Sequence, residues 1–441
     1  MAGETHGASA AEVPGGVAAA LAPLVRHLLG EDLPVAIRCW DGSRLGPGRA
    51  PATVVVRSPR ALRRLLWAPG ELGLARAYVA GDLDLEGDVF ALVGLDDVIE
   101  GRGDGRGLSL GVTGARAAWQ AARRLGALGP PPAPPAEEAR RGWRRHTPRG
   151  DAGAISHHYD VSNDFYRLVL DEEMVYSCAY FASAEMDLAA AQRAKFELVC
   201  RKLGLRPGMR LLDVGCGWGG LVLHAARHHG VQAVGITLSR AQQELAAKRV
   251  AEAGLGDQIR VERRDYRDID DGPYDAIASI GMFEHVGAGQ ARAYFDTLFQ
   301  GLASRGRLLN HAIARPPGTR GVHRRSFINR YVFPDSELLE LGRTITAMQE
   351  SGFEVRDVES LREHYARTLR CWVANLESNW PQAQRLAGPA RARTWRLYMA
   401  GCCRNFEHGQ LGVNQVLAVK RGPGGASGMP AHRTGMVLTS L

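Results

Sequence analysis

Between residues 211 and 220 the chain reads LLDVGCGWGG. An apolar strand runs into Asp213, and glycines then alternate at Gly215, Gly217 and Gly219 around Cys216, ahead of a helical stretch. Glycine accepts the backbone angles of a tight turn and lets a ligand approach the main chain closely, and the carboxyl end of a first strand is where open α/β sheets bind ligands. The spacing is G-x-G-x-G. It differs from the dinucleotide fingerprint G-x-G-x-x-G, and no Gly-Lys-Ser/Thr follows, so neither that fingerprint nor a P-loop is expected. Two later strand ends could complete the same pocket. One carries Thr237 and Leu238, with Gln242 a turn into the next helix; the other carries Asp265 and Tyr266, an acid and an aromatic suited to a ligand's amino group and ring face. Each segment alone would more often be structural. Their order behind the glycine turn favours a site.

The elements that must position these residues follow from pattern. Strands are expected at 209–216, 231–238, 274–281 and 306–314, with a helix through Leu221–His229, giving a parallel sheet flanked by helices. The chain has 441 residues, 45% apolar and 23% charged, enough for two or three domains with a full α/β core. Residues 1–16 are small and Gly/Ala-rich and are expected to be disordered. A smaller N-terminal α+β domain is expected over 17–128, with strands at Val35–Cys39 and Thr53–Val56 and helices at Pro59–Trp67 and Ala115–Leu125. Its segment GLARAYVAGDLDLEGD (73–88) reads as a helix, a glycine stop and a polar turn. Residues 129–150 read as a linker, first proline-rich and then basic, in which RRGWRRHTPR (140–149) is either a solvated flank or a membrane-surface contact. The main domain spans 151–420, and 421–441 lacks periodicity and is expected to be disordered.

Charge and cysteine usage narrow the setting. A net charge of +8 suits nucleic acid, anionic membrane or acidic small molecules, and alone does not choose among them. Nothing resembles an RNA-binding aromatic–basic repeat or a zinc cluster, so no nucleic-acid partner is expected. The 7 cysteines include no CxxC pair, which argues against a disulfide framework or a metal site and fits a reducing cytoplasm. No secretory signal or bilayer-spanning run is read.

The D-x-G-x-G-x-G turn resembles the adenosylmethionine site of Rossmann-like methyltransferases, and longer segments make the likeness specific. HHYDVSNDFYRLVLDEEMVYSCAYF (157–181), SIGMFEHVG (279–287), LLNHAIA (308–314), NRYVFPDSEL (329–338) and HYARTLRCW (364–372) are similar, in order, to the cyclopropane-fatty-acid synthase family. The first domain also resembles the family's longer bacterial members. LARAYVAGDL and YVFPD lean towards actinobacterial fatty-acid methyltransferases of the tuberculostearic-acid pathway. The resemblance implies a soluble enzyme, peripheral to the inner face of the membrane, that methylates the cis double bond of an unsaturated phospholipid acyl chain. It also implies a homo-oligomer.

What the resemblance implies chemically is demanding. An alkene is a weak nucleophile, and its attack on the sulfonium methyl leaves a carbocation inside the acyl chain; the site must exclude water, stabilise the cation and remove a proton. In the family a bicarbonate ion is the base. The matching positions are Cys178, Glu284, His311 and Tyr365, with Ile313 a backbone contact of the same group. A protonated Glu284, a charged His311 or the Tyr365 hydroxyl could donate to such an anion. Each also has a plain reading: a packed cysteine, a satisfied core histidine, a helix anchor. The resemblance places Tyr176 and Ser177 at the methionine end of S-adenosyl-L-methionine, Thr237 and Gln242 near ribose and carboxylate, and Asp265 and Tyr266 near adenine. Cys402 stands where a nucleophilic cysteine was once placed, but a thiolate facing adenosylmethionine would itself be methylated. Loss of a proton from the new methyl would give a cyclopropane; a hydride shift first would give a methylene branch, favoured by the closer likeness and open to a partner reductase. The alternative is a small-molecule methyltransferase with polar substrate contacts.

Overall fold

The computed structural model describes residues 16–95, 111–139, 162–319, 326–333 and 337–433. They fall into two compact units. One comprises described residues up to Ala139 together with those of 325–331 and 388–404; the other holds the remainder.

The first unit carries a sheet ordered β2-β1-β3-β4, where β1 is Ala36–Cys39, β2 Arg44–Leu45, β3 Ala52–Val56 and β4 Leu83–Gly87. β1 and β3 pair in parallel, and β2 and β4 close the edges antiparallel. The helix Pro59–Trp67 begins where expected, because Ser58 accepts from the Arg60 N–H and proline sits in the first turn. Residues 83–87, expected as a polar turn, form β4 instead. Leu83 and Leu85 are buried and alternate with Asp84 and Glu86, a period-two pattern that the acidic residues disguise.

The first half of the expected linker is packed rather than free. Trp67 Nε1 donates to the Gly129 carbonyl at 2.9 Å and Arg64 Nη1 to that of Ala133 at 2.8 Å. The buried Glu138 takes a two-pronged pair from Arg76 at 2.7 Å. Cations held against its carboxylate outweigh burial and keep its titration below the usual range. The basic run 140–149 and residues 1–15 lie outside the described residues.

The second unit is built on seven strands ordered β10-β11-β9-β8-β5-β6-β7. They are β5 (Arg210–Val214), β6 (Gln232–Thr237), β7 (Ile259–Arg263), β8 (Tyr274–Ile280), β9 (Leu302–Ala314), β10 (Glu354–Ser360) and β11 (Gly412–Val419). β5 to β9 are parallel, but β11 runs antiparallel to both β9 and β10, so the sheet is mixed where an all-parallel one was expected. Apolar layers cover both faces. Phe196 and Val199 of helix Leu188–Leu203 and Leu221 and Ala225 of helix Gly220–His229 pack on one; Tyr294, Phe295 and Leu298 of helix Ala291–Gly301 pack on the other. Each fully buried large side chain contributes about 1.5–3 kcal/mol, which fixes the strand register and with it the strand ends. β5 lies between β6 and β8, so strand order reverses there and opens a crevice at the carboxyl ends.

Residues 421–433, expected as disordered tail, return to this unit. Met429 packs against the core, and Arg433 Nε pairs with Asp357 at 2.8 Å. No helix among the described residues is long and apolar enough to cross a membrane.

Candidate active site

The glycine turn opens the crevice at β5. Gly215, Gly217 and Gly219 all take positive φ, at 82°, 54° and 83°. A Cβ on Gly215 would lie 3.2 Å from Met282 Cβ, whereas one on Gly217 would meet nothing within 4 Å, so that face of the turn looks into open space. The Gly215 and Cys216 N–H groups donate to the Ile236 carbonyl, which ties the turn to β6. Arg249 Nη1 donates to the carbonyls of Trp218 (2.8 Å) and Glu173 (3.2 Å) and so holds the far side of the turn to the segment ahead of Tyr176.

One cavity runs along this crevice. Tyr176, Ser177, Asp213, Gly215, Cys216, Gly217, Thr237, Leu238, Gln242, Asp265 and Tyr266 all line it. Gly219 does not; it precedes helix Gly220–His229 as its N-cap. Thr237 Oγ1 donates to Gln242 Oε1 at 2.7 Å, so these two residues form one polar edge. Asp265 is partly committed elsewhere. Its Oδ1 accepts from the Arg267 N–H and its Oδ2 pairs with the Arg267 guanidinium, both at 2.9 Å.

Lys195, which the sequence reading missed, also lines the cavity. It is buried, and its Nζ donates to Ser177 Oγ at 3.1 Å. Burial lowers its titration to about 8, with Cys178, Asp213 and Asp171 opposing the fall; burial raises Asp213 to about 7, with Lys195 opposing the rise. The signal was present: Ala191, Lys195 and Val199 recur every four residues on the buried face of one helix, and a charge in such a stripe needs a polar partner.

Outside the lining of the cavity lie buried polar residues, Cys178 with Tyr365 and Glu284 with His311, joined through Leu361, whose N–H donates to the Val413 carbonyl, and through the pairing of Val413 with Ile313. Cys178 follows Ser177 but is fully buried, and its Sγ donates to the carbonyls of Ala179 (3.2 Å) and Leu361 (3.7 Å). Burial pushes its titration far up, so it stays a thiol. The same Leu361 carbonyl accepts the Tyr365 N–H, and the buried Tyr365 ring packs against Phe406 at 4.7 Å.

Glu284, His311 and Ile313 meet on β9. Glu284 is 7% exposed, and its Oε1 accepts the Ile313 N–H at 2.7 Å. Burial raises its carboxyl to about 7. His311 is 2% exposed and pairs in register with Ile280 of β8. Burial, with Lys195 and Lys202 adding repulsion, lowers its imidazole to about 3, so of the donors considered from sequence His311 is a neutral one. Gln415 of β11, also missed from sequence, decides its tautomer. Lys202 Nζ donates to Gln415 Oε1 at 2.8 Å, which turns the amide Nε2 towards His311 Nδ1 at 3.3 Å. An amide nitrogen only donates, so Nδ1 accepts and the proton sits on Nε2. Among the described residues nothing hydrogen-bonds to Glu284 Oε2 or His311 Nε2, although both are buried. The Ile313 N–H is engaged in orienting Glu284.

Cys402 belongs to the first unit, and burial and Cys403 beside it raise its thiol to about 12, which is no poise for a nucleophile.

Comparison with known proteins agrees with this geometry. The family model described as mycolic acid cyclopropane synthetase matches residues 146–416. A probable fatty acid methyltransferase of Mycobacterium tuberculosis is 43% identical over 408 residues, covering 90% of this chain and 93% of its own. The cyclopropane-fatty-acyl-phospholipid synthase of Escherichia coli is 31% identical over 376 residues, 84% of this chain and 88% of its own. The crystal structure of a mycolic acid cyclopropane synthase complexed with SAH and CTAB superposes with a TM-score of 0.58 at 37% identity, covering 61% of this chain and 98% of that one. The glycine crevice, the mixed seven-stranded sheet and these matches together make the chain a member of the mycolic acid cyclopropane synthetase family, an S-adenosylmethionine-dependent methyltransferase of lipid fatty acids.

Proposed function

We propose that this chain methylates the cis double bond of an unsaturated phospholipid acyl chain, met at a membrane surface, and that the acyl carbocation so formed loses a proton to give a methylene branch or a cyclopropane. The observation that carries the reading is that two buried atoms, Glu284 Oε2 and His311 Nε2, have no hydrogen-bond partner among the described residues. A buried polar atom without a partner costs about 1–3 kcal/mol, and two beside a cofactor crevice call for a small polar guest.

Bicarbonate fits this donor set. Neutral His311 offers Nε2–H, and Glu284, titrating near 7, offers a carboxyl proton over much of the neutral range. Cys178 and Tyr365 would complete the shell. When bound, bicarbonate supplies a base that is not lost to alkylation, as a side-chain nucleophile would be. S-adenosylmethionine would be held by the glycine turn, Tyr176, Ser177, Thr237 and Gln242, which line one cavity, and would supply the electrophilic methyl group. The chain itself buries these residues away from water, holds Cys178 protonated, and leaves two polar atoms, Glu284 Oε2 and His311 Nε2, open to a guest among the described residues. A neutral shell matters, because a fixed positive charge there would oppose the acyl cation.

The likeness to a fatty acid methyltransferase favours the methylene branch, which a separate reductase could saturate. Incubation with S-adenosylmethionine and vesicles of mono-unsaturated phospholipid, followed by mass spectrometry and proton NMR of the released acyl chains, tests the proposal. A gain of one carbon with exocyclic methylene protons is the expected result, cyclopropyl protons mark the other branch, and unmodified chains alongside tight cofactor binding would overturn both.

A further inference from the structure

A second cluster, of one buried and two half-buried residues, lies where helix Leu188–Leu203 meets helix Gly220–His229. One ligand-capable atom each from Cys200, His224 and His229 lie within 4.8 Å of one another. Glu197, one turn before Cys200, turns its Oε2 to both imidazoles, 3.3 Å from His224 Nε2 and 3.1 Å from His229 Nε2. Its other oxygen is held at 2.6 Å by Arg201 Nε. We propose that Cys200, His224, His229 and Glu197 form a zinc site that clamps these two helices together.

The chemistry of the set supports a borderline-soft divalent ion. Zinc takes thiolate, imidazole and carboxylate ligands at about 2.0–2.3 Å in a tetrahedron, so neighbouring ligand atoms stand roughly 3.3–3.7 Å apart. The Glu197–imidazole separations, 3.3 and 3.1 Å, stand at and just under that spacing, and Cys200, within 4.8 Å of the imidazoles, needs an approach of about 1 Å. The carboxylate is oriented by Arg201 as outer partners orient metal ligands elsewhere. Binding exchanges protons cleanly. The Cys200 thiol gives its proton to solvent; each imidazole, whose Nε2–H donates to the Glu197 carboxylate in the metal-free chain, moves that proton to Nδ1 by exchange with solvent, which frees the Nε2 lone pair for the ion. The absence of CxxC in the sequence does not weigh against this site, because its ligands come in pairs from two helices: Glu197 with Cys200 three residues on, and His224 with His229. Four protein ligands make a closed, structural centre. Its consequence for function lies at the other end of one helix, since Gly220–His229 starts at the glycine turn.

The test uses full-length protein stripped with chelator and titrated with Co²⁺, then Zn²⁺. One Co²⁺ per chain is expected, with a thiolate-to-cobalt charge-transfer band that Zn²⁺ abolishes by displacement, and Zn²⁺ raises the melting temperature. Cys200→Ser removes the band. Should Cys200→Ser fail to fold, His224→Gln/His229→Gln, on the more accessible side, weakens Co²⁺ binding by more than about tenfold while binding of S-adenosylhomocysteine is kept. Sub-stoichiometric binding, a band that survives Cys200→Ser, or unchanged affinity in the double variant would overturn the site.

Discussion

The cofactor crevice and the closed cluster of Cys178, Glu284, His311 and Tyr365 share two loops yet are built on opposite principles. Ser177 lines the crevice and Cys178 is buried outside its lining; Met282 and His285 line the crevice and Glu284 is buried outside it. The crevice is made by main chain at strand ends, with glycines where a side chain would intrude. The cluster is made by side chains from four distant parts of the chain, and burial holds Cys178 as a thiol, raises the Glu284 carboxyl and leaves His311 uncharged. An open site, with a glycine turn that leaves room and polar side chains at the strand ends, suits a charged, exchangeable cofactor. A closed site of neutral donors suits one small anion and a passing cation.

The largest expected effect that sharpens this contrast concerns pH. The Glu284 carboxyl titrates near 7 when folded and 4.5 when free. Between those values the unfolded chain releases the proton and the folded one keeps it, so Glu284 lowers stability as pH rises through this window, by about 3 kcal/mol in all. Asp213 slopes the same way between 3.8 and about 7. Urea denaturation at pH 5 and 7.5 should show the fall, and Glu284→Gln should remove its share while leaving that of Asp213. An equal slope in the variant would break the distinction drawn for the closed cluster.

Next comes the tautomer. Gln415→Glu places an acceptor against His311 Nδ1 and strips the proton from Nε2. Turnover should fall by on the order of 10²-fold with cofactor affinity held, as steady-state rates and cofactor titration would report. Gly215→Ala acts on the other region. A left-handed alanine costs about 1–2 kcal/mol, and its Cβ presses on Met282, so S-adenosylhomocysteine binding should weaken about tenfold in calorimetry. The smallest effect is expected of Cys178→Ala. Its thiol is buried and un-ionised, so removal should cost about 1 kcal/mol in melting experiments and leave turnover within a few fold. A collapse of turnover there would mean that the sulfur itself does chemistry.

The same contrast explains what the sequence disclosed. Asp213 to Gly219 are consecutive, so strand, turn and helix start could be read directly. Cys178, Glu284, His311 and Tyr365 came only through likeness to a family, because nothing local marks a side chain that acts across a sheet. Lys195 and Gln415 escaped because each looks like one polar residue in an apolar element. Their meaning depends on Ser177 and on His311, which are distant in the chain. β4 hid behind its acids, and β11, which runs Gly412–Val419, was missed with its antiparallel sense because pairing direction is set by topology.

The central claim is that methyl donor and anion occupy two separable sites, one open and one closed. It is tested most directly by Glu284→Gln with radiolabelled S-adenosylmethionine and unsaturated phospholipid vesicles, measuring cofactor binding and label in the acyl chain on the same preparation. Cofactor affinity is expected within about twofold of the parent, with acyl labelling lower by on the order of 10²–10³-fold. Parallel loss of both, or labelling undiminished, would contradict it.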